Sequence, residues 1–257
     1  MRLSNNHRSH PSIFACILFL FLAPLFCAAQ TPATTDASPT NSSQVKSVIT
    51  QMRVRMRSVP LDVVVEALTG HKVLPFNPDN PNHAEVLKRV KAAAASVAAK
   101  IKAEGGISSK RVNEVGNTIE QYVRDALTAQ GMPATVPTGE KSGKARATGY
   151  PDVAFTFNDE HFYLDCKTHD EKNANSTMRT FYLSPSDDPK ISCDAVHLIL
   201  SFQTSRKDGS DIYQLVRYKI VSLEKLSVDL KYEFNSDNRR MYSGKNGTEI
   251  LADAACE

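Results

Sequence analysis

Apolar residues recur along this chain in two spacings, first at every third or fourth position and later at every second position. The longest stretch of the first kind places its apolar residues on one helical stripe, namely Val86, Val90, Ala94, Val97 and Ile101. Asn82 lies before this stripe with Glu85 three residues later, so Asn82 is expected to cap the helix N-terminus. Gly105 and Gly106 follow the stripe and are expected to end the helix.

A second amphipathic helix is predicted directly afterwards and ends before Gly131 and Pro133. Its apolar stripe comprises Val112, Val115, Ile119, Tyr122, Val123, Ala126 and Leu127. Earlier in the chain, residues 45 to 68 carry apolar positions at mixed spacing around Pro60, which indicates two short helices. Residues 45–107 are therefore interpreted as a helical N-terminal section.

The pattern changes to that of β-strands after Pro133. Four strands are predicted, at Val153 to Phe157, His161 to Lys167, Ala195 to Phe202 and Ile212 to Val221. Because the helices come first and the strands later, the order predicts an α/β or α+β fold, with residues 108–257 as its core domain.

The N-terminal residues 1–44 are not expected to belong to the folded core. Residues 1–29 contain basic positions followed by the apolar run from Ile13 to Ala29, a pattern typical of a secretory signal. Residues 30–44 are mainly Thr, Ser, Pro, Ala and Asn and are predicted to form a disordered linker. Two interpretations stay open: an exported or membrane-anchored protein, or a protein whose translation starts downstream, at Met52 or Met56.

Composition places the chain among ordinary globular proteins and gives no global sign of a nucleic-acid binder. Of its 257 residues, 41% are hydrophobic and 23% are charged, and the net charge is only +3. A nucleic-acid site must therefore be a local basic patch. The cysteines outside the N-terminal run are widely spaced and form no CxxC pair, so they are expected to be small buried hydrophobic residues: Cys166, Cys193 and Cys256.

The segment from Gly149 to Lys167 predicts a β-hairpin with a specific register. Asn and Asp tolerate the left-handed conformations of two-residue turns, and a turn at Asn158-Asp159 sets Asp152 opposite Asp165. One face then carries the apolar residues Val153, Phe155, Phe157, Phe162, Leu164 and Cys166. The other face carries Asp152, Ala154, Thr156, His161, Tyr163, Asp165 and Lys167.

Two carboxylates that face each other across a hairpin repel each other unless they share a cation or a proton. Mg²⁺ prefers carboxylate oxygens and also binds phosphate oxygens, so Asp152 and Asp165 are predicted to hold Mg²⁺ against a phosphodiester. Lys167 lies on the same face, where it is expected to orient or help deprotonate the attacking water and to stabilise transition-state charge. The alternative is a surface hairpin held by salt bridges.

These residues resemble a known nuclease motif. Pro151-Asp152, followed after twelve residues by Asp165-Cys166-Lys167, is similar to the motif of the PD-(D/E)XK nuclease superfamily. Further stretches are similar to parts of bacterial type II restriction endonucleases, and they comprise Arg179 to Pro185, Asp194 to Leu200 and Lys231 to Asn238.

The resemblance implies a restriction-endonuclease-like mixed central sheet flanked by helices, and Mg²⁺-dependent, site-specific hydrolysis of double-stranded DNA. It also implies a homodimer, and a cognate DNA methyltransferase that acts on the same site is an open partner. Restriction enzymes act on DNA inside the cell. The resemblance therefore favours a cytoplasmic protein with a downstream start over an exported one.

The resemblance further implies an acidic residue on the helix that precedes the hairpin. Glu120 matches that position and is expected to join Asp152 and Asp165 in metal binding and catalysis. Glu114 on the same predicted helix is the second candidate for this role. The alternative for each is a glutamate on the solvated face of the helix.

Basic residues near the motif are the expected DNA contacts. The loop just before Asp152 is interpreted as a contact to backbone phosphates, and its spacing does not fit a nucleotide-binding P-loop. Its basic residues are Lys141, Lys144 and Arg146. Three arginines further on are expected either to read guanine or to hold phosphates: Arg179, Arg239 and Arg240. His161 and Tyr163 share the carboxylate face, where packing at the sheet edge is favoured over DNA contact.

Three functions follow from these features. The leading one is a Mg²⁺-dependent, site-specific deoxyribonuclease of the type II restriction kind. The second is a related nuclease without strict site specificity, acting in repair or in degradation of external DNA. The third is a DNA-binding module that has kept the fold without catalysis, in which loss of an acidic or lysine position of the motif would be expected.

Overall fold

The computed structural model describes residues 42–54, 56–110, 112–170, 176–177, 179–206, 209–243 and 249–255, without the side chains of residues 112 and 113. The signal-like segment 1–29, most of the predicted linker 30–44 and Cys256 lie outside the described residues. The last three residues of that linker, 42–44, lie in a helix.

The described residues form helices and strands that alternate in the N-terminal half and are mostly strands in the C-terminal half. The helices are α1 (Ser42–Met52), α2 (Leu61–Thr69), α3 (Pro81–Ala103), α4 (Val112–Ala129) and α5 (Asn238–Tyr242). The strands are β1 (Val59–Pro60), β2 (Val73–Leu74), β3 (Ile107–Ser108), β4 (Ala134–Thr135), β5 (Val153–Phe157), β6 (Glu160–Asp170), β7 (Ala195–Arg206), β8 (Ile212–Ser222) and β9 (Ser227–Val228).

A mixed sheet forms the centre of the fold, as the sequence predicts. Its strand order is β3-β8-β7-β6-β5-β4, with β2 paired to the start of β7. The β6–β7 and β2–β7 pairs are parallel, and the others are antiparallel. The four predicted strands are the four longest in the sheet. Two of the short edge strands, β2 and β3, come from the section that the sequence describes as helical.

The hairpin of β5 and β6 has the predicted register. Phe157 pairs with Glu160 and Val153 with Leu164, so Asp152 lies one residue beyond the last pair, toward Asp165. The two turn residues both have positive φ, 46° at Asn158 and 64° at Asp159. This conformation twists in the same sense as the strands and is therefore favoured in two-residue hairpins.

Helix α3 begins slightly before the predicted position, and its N-cap is Asn80 rather than Asn82. The side chain of Asn80 accepts a hydrogen bond from the backbone N–H of Asn82 at 2.8 Å. Pro81 takes the first helical position, where an N–H would have no helical partner. The Asn82 amide instead donates to the carbonyl of Phe157 at 3.4 Å, so it joins the helix to the hairpin.

Helices α3 and α4 pack on one face of the sheet and bury the apolar face of the hairpin. The first predicted helical stripe and the described side chains of the second, from Val115 onward, lie in this core. The apolar hairpin residues Val153, Phe155, Phe162, Leu164 and Cys166 lie there too. Beyond α3, Gly105 and Gly106 have φ values of 88° and 108°, which lets the chain leave the helix as predicted. Helix α4 ends at Ala129, before Gly131 and Pro133.

A second apolar cluster covers the opposite sheet face, which carries Asp165. It comprises Leu61, Val65, Val73, Tyr150, Tyr163, Ile191, Ala195 and Leu223. Helix α2 supplies the first two of these residues, and Tyr163 lies in the cluster next to Asp165. On the carboxylate face of the hairpin, Tyr163 and Asp165 are therefore buried, whereas Thr156 and His161 near the turn are exposed. The sequence pattern alone does not show this difference.

The chain divides into two compact units after Gln51. In the described part of the first unit, α1 has no buried residue. In the described part of the second, Cys166 is buried, Cys193 is half-buried and both are free thiols. Across the part of the chain that the structure describes, no helix combines the length and apolar character needed to cross a membrane.

Candidate active site

Asp152 lies at the open end of the β5–β6 hairpin. Its Oδ2 accepts a hydrogen bond from the backbone N–H of Cys166 at 2.8 Å. This bond holds the Asp152 carboxylate beside β6 although strand pairing has already ended at Val153. The predicted meeting of Asp152 with Asp165 is therefore present in the fold.

Asp165 is almost completely buried, with 2% of its surface exposed. Lys167 Nζ lies 2.5 Å from Asp165 Oδ2, yet no described group makes a well-aligned hydrogen bond to this oxygen. Burial is the main cause that raises the pKa of Asp165 to about 7, and the negative charge of Asp152 adds to the effect. The Lys167 ammonium opposes this rise.

Lys167 is held in its charged form by the site. Burial by itself would lower the pKa of Lys167, but the charges of Asp165 and Asp152 outweigh burial, and the net shift of the Lys167 pKa is upward. With the ion pair intact, Lys167 is therefore an ammonium that can orient a water or stabilise negative charge.

Helix α4 brings Glu120, and not Glu114, toward these carboxylates. Glu120 is half-buried, and burial followed by the negative charge of Asp152 raises its pKa. Its nearest cation is Arg124, with Nη1 at 3.9 Å from Oε2. Glu114 is exposed and accepts a hydrogen bond from the Ser109 hydroxyl at 3.0 Å.

A hard divalent cation suits the oxygen ligands of Asp152 and Asp165. Asp165 Oδ2 is a buried carboxylate oxygen without a well-aligned hydrogen bond, which is the kind of atom that a metal ion would satisfy. Among the described residues, however, no three His, Cys, Asp or Glu side chains lie close enough together to form a metal-ligand group. Glu120 therefore does not complete a three-carboxylate set in this arrangement.

The basic loop before Asp152 is a short hairpin that closes around Asp188. The Asp188 carboxylate accepts hydrogen bonds from the N–H groups of Lys141 and Ser142, at 2.8 and 3.2 Å, and from the Ser142 hydroxyl at 2.7 Å. A Cβ on Gly139 would lie only 2.1 Å from Asp188 Oδ2, so this contact requires glycine. The side chains of Lys141 and Lys144 remain exposed.

Arg146 has a different setting from these two lysines. Its guanidinium donates to the carbonyl of Asp188 at 2.7 Å and to the Ser186 hydroxyl at 3.3 Å. Arg146 thus links the loop to the 186–188 segment, a structural contact that the sequence analysis does not anticipate.

The three downstream arginines are all exposed, and the structure does not place them with the carboxylates. Arg179 stacks on Tyr182 with 4.3 Å from Cζ to the ring centre and pairs with Glu233 at 3.4 Å. Arg239 and Arg240 lie on the short helix α5, where Arg240 Nε is 3.6 Å from Asp237 Oδ2.

His161 is exposed and hydrogen-bonds Thr156 at 3.2 Å, whereas Tyr163 is buried in the second cluster. The preference for packing over DNA contact therefore fits Tyr163. A further pair in this layer escapes sequence reasoning: the Tyr150 hydroxyl and His197 Nδ1 lie 2.6 Å apart. His197 is fully buried, and burial lowers its pKa to about 4.

Lys190 is the site residue that sequence reasoning misses altogether. It is 5% exposed, and its Nζ donates to the carbonyl of Gly149 at 2.5 Å. It also lies within electrostatic reach of the site carboxylates Asp152, Glu120 and Asp165. Nothing in the local Asp-Pro-Lys-Ile sequence indicates this position, because the contact joins segments about 40 residues apart.

The fold and the paired carboxylates with their lysine define a type II restriction endonuclease-like protein. Comparison with known proteins agrees, because the profile of the MjaV type II restriction enzyme family matches residues 54–245. The chain belongs to this family. Its sequence is 37% identical over 214 residues to the type II restriction enzyme MjaV of Methanocaldococcus jannaschii, covering 77% of this chain and 91% of that protein. No solved structure gives a significant match.

Proposed function

We propose that this protein is a Mg²⁺-dependent, site-specific endonuclease that hydrolyses phosphodiester bonds of double-stranded DNA. The observation that carries the proposal is the Asp152–Asp165 pair beside Lys167, in a chain that belongs to a family of type II restriction enzymes. The PD-(D/E)XK motif assigned from sequence supplies these three residues.

Asp152 and Asp165 are the residues that would hold Mg²⁺, since both are carboxylates and Asp165 Oδ2 lacks a well-aligned partner. A bound Mg²⁺ would polarise the phosphate and lower the pKa of a bound water. Glu120 is proposed to orient this water or a ligand water, because its carboxylate lies within electrostatic reach of Asp152. In the reaction, a water oxygen forms a bond to phosphorus and the water gives up one proton, a backbone P–O bond breaks, and the departing oxygen takes up one proton.

Lys167 is proposed to act on the reacting phosphate. If Mg²⁺ were held by Asp165, the Lys167 ammonium would be available to stabilise the charge that grows on the phosphate oxygens, or to orient the attacking water. Lys167 would then pair with Asp165 in the metal-free protein and contact the phosphate during the reaction.

DNA contact is proposed for the exposed lysines Lys141 and Lys144, with Arg146 holding their loop in place. Arg179, Arg239 and Arg240 remain candidates for base or phosphate contact. The protein is proposed to act as a homodimer. A DNA methyltransferase that acts on the same site is its proposed partner. Residues 45–107 and 108–257 are proposed to act together in the cytoplasm.

The direct test is digestion of a sequenced plasmid by the purified protein in Mg²⁺, followed by sequencing of the fragment ends. Discrete limit fragments with one common end sequence are expected. A smear without common ends would support a nuclease lacking site specificity. DNA binding without any cleavage in Mg²⁺ would support a non-catalytic module.

Substitution at Asp165 tests the site itself. Asp165→Asn removes a ligand charge and should lower turnover at least about 100-fold, equivalent to about 2.7 kcal/mol of barrier. DNA binding in EDTA should be retained or tighter, because a charge that repels phosphates is lost. Asp159→Asn, at the exposed turn of the same hairpin, is the matched control and should cut at the wild-type rate. Wild-type cleavage by Asp165→Asn would contradict the assignment.

A further inference from the structure

Lys190 is a buried cation that the proposed chemistry does not use. Its ammonium donates to the carbonyl of Gly149 at 2.5 Å, and the residue is 5% exposed. Burying an ammonium is unfavourable unless opposite charges and hydrogen bonds compensate for lost hydration. Burial does lower the pKa of Lys190, and the charges that oppose this shift are those of Asp152, Glu120 and Asp165. The negative charges that favour the ammonium form of Lys190 are therefore those of the candidate active site.

The hydrogen bond to Gly149 lies three residues before Asp152. Gly149 is exposed and has a φ of 85°, a conformation that glycine adopts without strain but that leaves the chain intrinsically free. From Gly149 the chain passes through the buried Tyr150 directly to Pro151 and Asp152. The Lys190 contact thus fixes the backbone carbonyl of Gly149, three residues before Asp152.

The segment around Lys190 holds the whole loop that leads to Asp152. At the start of this loop, the Glu140 N–H donates to the carbonyl of Pro189 at 2.8 Å. In the middle, Arg146 donates to the carbonyl of Asp188 at 2.7 Å. At its end, Lys190 holds Gly149. Three consecutive residues, 188 to 190, therefore contact the loop along its length, and only the last of them supplies a charge near the carboxylates.

We propose that Lys190 is a positioning residue for Asp152: its ammonium fixes the Gly149 carbonyl and so places the Asp152 carboxylate beside Asp165 for binding Mg²⁺. This inference rests on the proposed nuclease function. Lys190 touches neither substrate nor metal in this role and acts through the loop. Its loss should therefore affect turnover and metal binding more than DNA affinity.

The test uses the full chain and three substitutions. Lys190→Met keeps the approximate length of the side chain but removes its charge and its N–H donors. Lys190→Arg keeps both the charge and the donors. Lys225→Met removes an exposed lysine and is the control for loss of one positive charge. For each protein, kcat and KM are measured on a plasmid with one site, and the DNA dissociation constant is measured in EDTA.

We expect Lys190→Met to lower kcat at least tenfold while the DNA dissociation constant in EDTA stays within about threefold of wild type. Lys190→Arg should restore kcat to within about threefold, and Lys225→Met should be unchanged. Without DNA, the rise in Tm caused by Mg²⁺ should be smaller in Lys190→Met, because a displaced Asp152 binds the ion less well. A purely structural lysine would change Tm without separating kcat from DNA affinity.

Several results would overturn the proposal. One is wild-type kcat in a folded Lys190→Met protein. Another is a larger Mg²⁺-induced rise in Tm in that variant, which would make Lys190 a charge that competes with the ion. If Lys190→Met does not fold, Lys190→Gln replaces it. If neither variant folds, Lys190→Arg decides: a kcat more than tenfold below wild type at unchanged Tm would also overturn the proposal, because this variant keeps the charge and the donors. If the wild-type protein itself does not cleave DNA, the proposed function fails instead.

Discussion

At the scale of single residues, burial decides the chemistry of the site. Asp165 lies under an apolar layer that includes Tyr163 and Tyr150, so its charge is poorly hydrated and its pKa rises to about 7. Lys167 compensates the charge in part. The same residues on an open hairpin would form an ordinary surface ion pair. The layer above Asp165 therefore makes the carboxylate responsive to a cation.

Glu120 and Glu114 provide a comparison within one helix. Glu120→Gln removes a carboxylate near Asp152 and should lower kcat at least tenfold, or at least about 1.4 kcal/mol of barrier. Glu114→Gln removes an exposed carboxylate from the same helix and is expected to leave kcat unchanged. Single-turnover cleavage at saturating Mg²⁺ measures both variants. The reverse result would transfer the role to Glu114.

His197 should make the folded protein less stable toward acid. The unfolded chain takes up a proton at a histidine near pH 6.5, whereas the folded chain does so only near pH 4, because burial lowers the His197 pKa. The unfolded state thus binds more protons between these values, and stability falls as the pH drops through this window. From pH 7 to pH 5 the loss from this residue should be about 2 kcal/mol.

Denaturant unfolding at pH 7 and pH 5 measures this loss. His197→Gln should reduce the difference between the two pH values by about that amount, and the exposed His161→Gln is the control with a wild-type difference. An unchanged difference in His197→Gln would show that His197 does not supply the acid sensitivity.

At the scale of elements, the β5–β6 hairpin shows how a turn sets a site. The two-residue turn at Asn158-Asp159 fixes the pairing, and the pairing brings Asp152 to Asp165. A shift of the pairing by one residue would place Asp152 and Asp165 on opposite faces of the hairpin. Asn82, at the start of α3, donates a hydrogen bond to the carbonyl of Phe157 and so links the hairpin turn to the helical layer.

Substitution of Asp159 tests the turn. Its φ of 64° favours glycine and disfavours a β-branched residue, for which this conformation costs about 1–2 kcal/mol. Asp159→Gly should raise the free energy of unfolding by up to about 1 kcal/mol, since it creates the Asn-Gly pair preferred in such turns. Asp159→Val should lower it, and Asp159→Asn controls for the lost charge. Equal stability of the Gly and Val variants would argue against this turn geometry.

At the scale of the whole molecule, apolar clusters lie on both faces of the mixed sheet, and the candidate site lies at the open end of the β5–β6 hairpin, with Asp165 on the face of the second cluster and Glu120 on α4. The chain is nearly neutral, so its attraction to DNA depends on where the charges lie rather than on their sum. Lys141 and Lys144 are exposed on the loop that leads to Asp152, and Asp188 accepts hydrogen bonds from the backbone N–H groups of Lys141 and Ser142. The backbone that carries these two lysines is thereby held in the segment before Asp152.

The salt dependence of DNA binding measures the contribution of these two lysines. Each phosphate contact contributes about 0.9 to the slope of log K against log salt, so Lys141→Ala combined with Lys144→Ala should reduce the slope by about 2. The loss of affinity should be similar for every DNA sequence. Lys88→Ala, on α3 at the other sheet face, should keep the wild-type slope. Titrations in EDTA at several salt concentrations give these slopes, and an unchanged slope in the double variant would remove the loop from the DNA interface.

The sequence by itself determined the features that depend on neighbours along the chain. The stripes of α3 and α4, the four long strands and the register of the β5–β6 hairpin follow from periodicity and turn chemistry, which act over a few residues. The Asp-x-Lys pattern at Asp165 to Lys167, and the family resemblance that it carries, could also be recognised from the sequence. The cap of α3 was misplaced from Asn80 to Asn82, because both positions carry the same residue type and boundaries depend on backbone geometry.

Only the tertiary structure decided what lies above the hairpin and what holds the loop before it. Three contacts join residues about 40 or more positions apart: Tyr150 with His197, Asp188 with the basic loop, and Lys190 with Gly149. The burial of Asp165 depends on the packing of equally distant segments. Local periodicity carries no information on such pairs, since packing of distant segments fixes them. Those same contacts set the pKa of Asp165 and the position of Asp152. The motif could therefore be predicted from the sequence, whereas the pKa of its carboxylates could not.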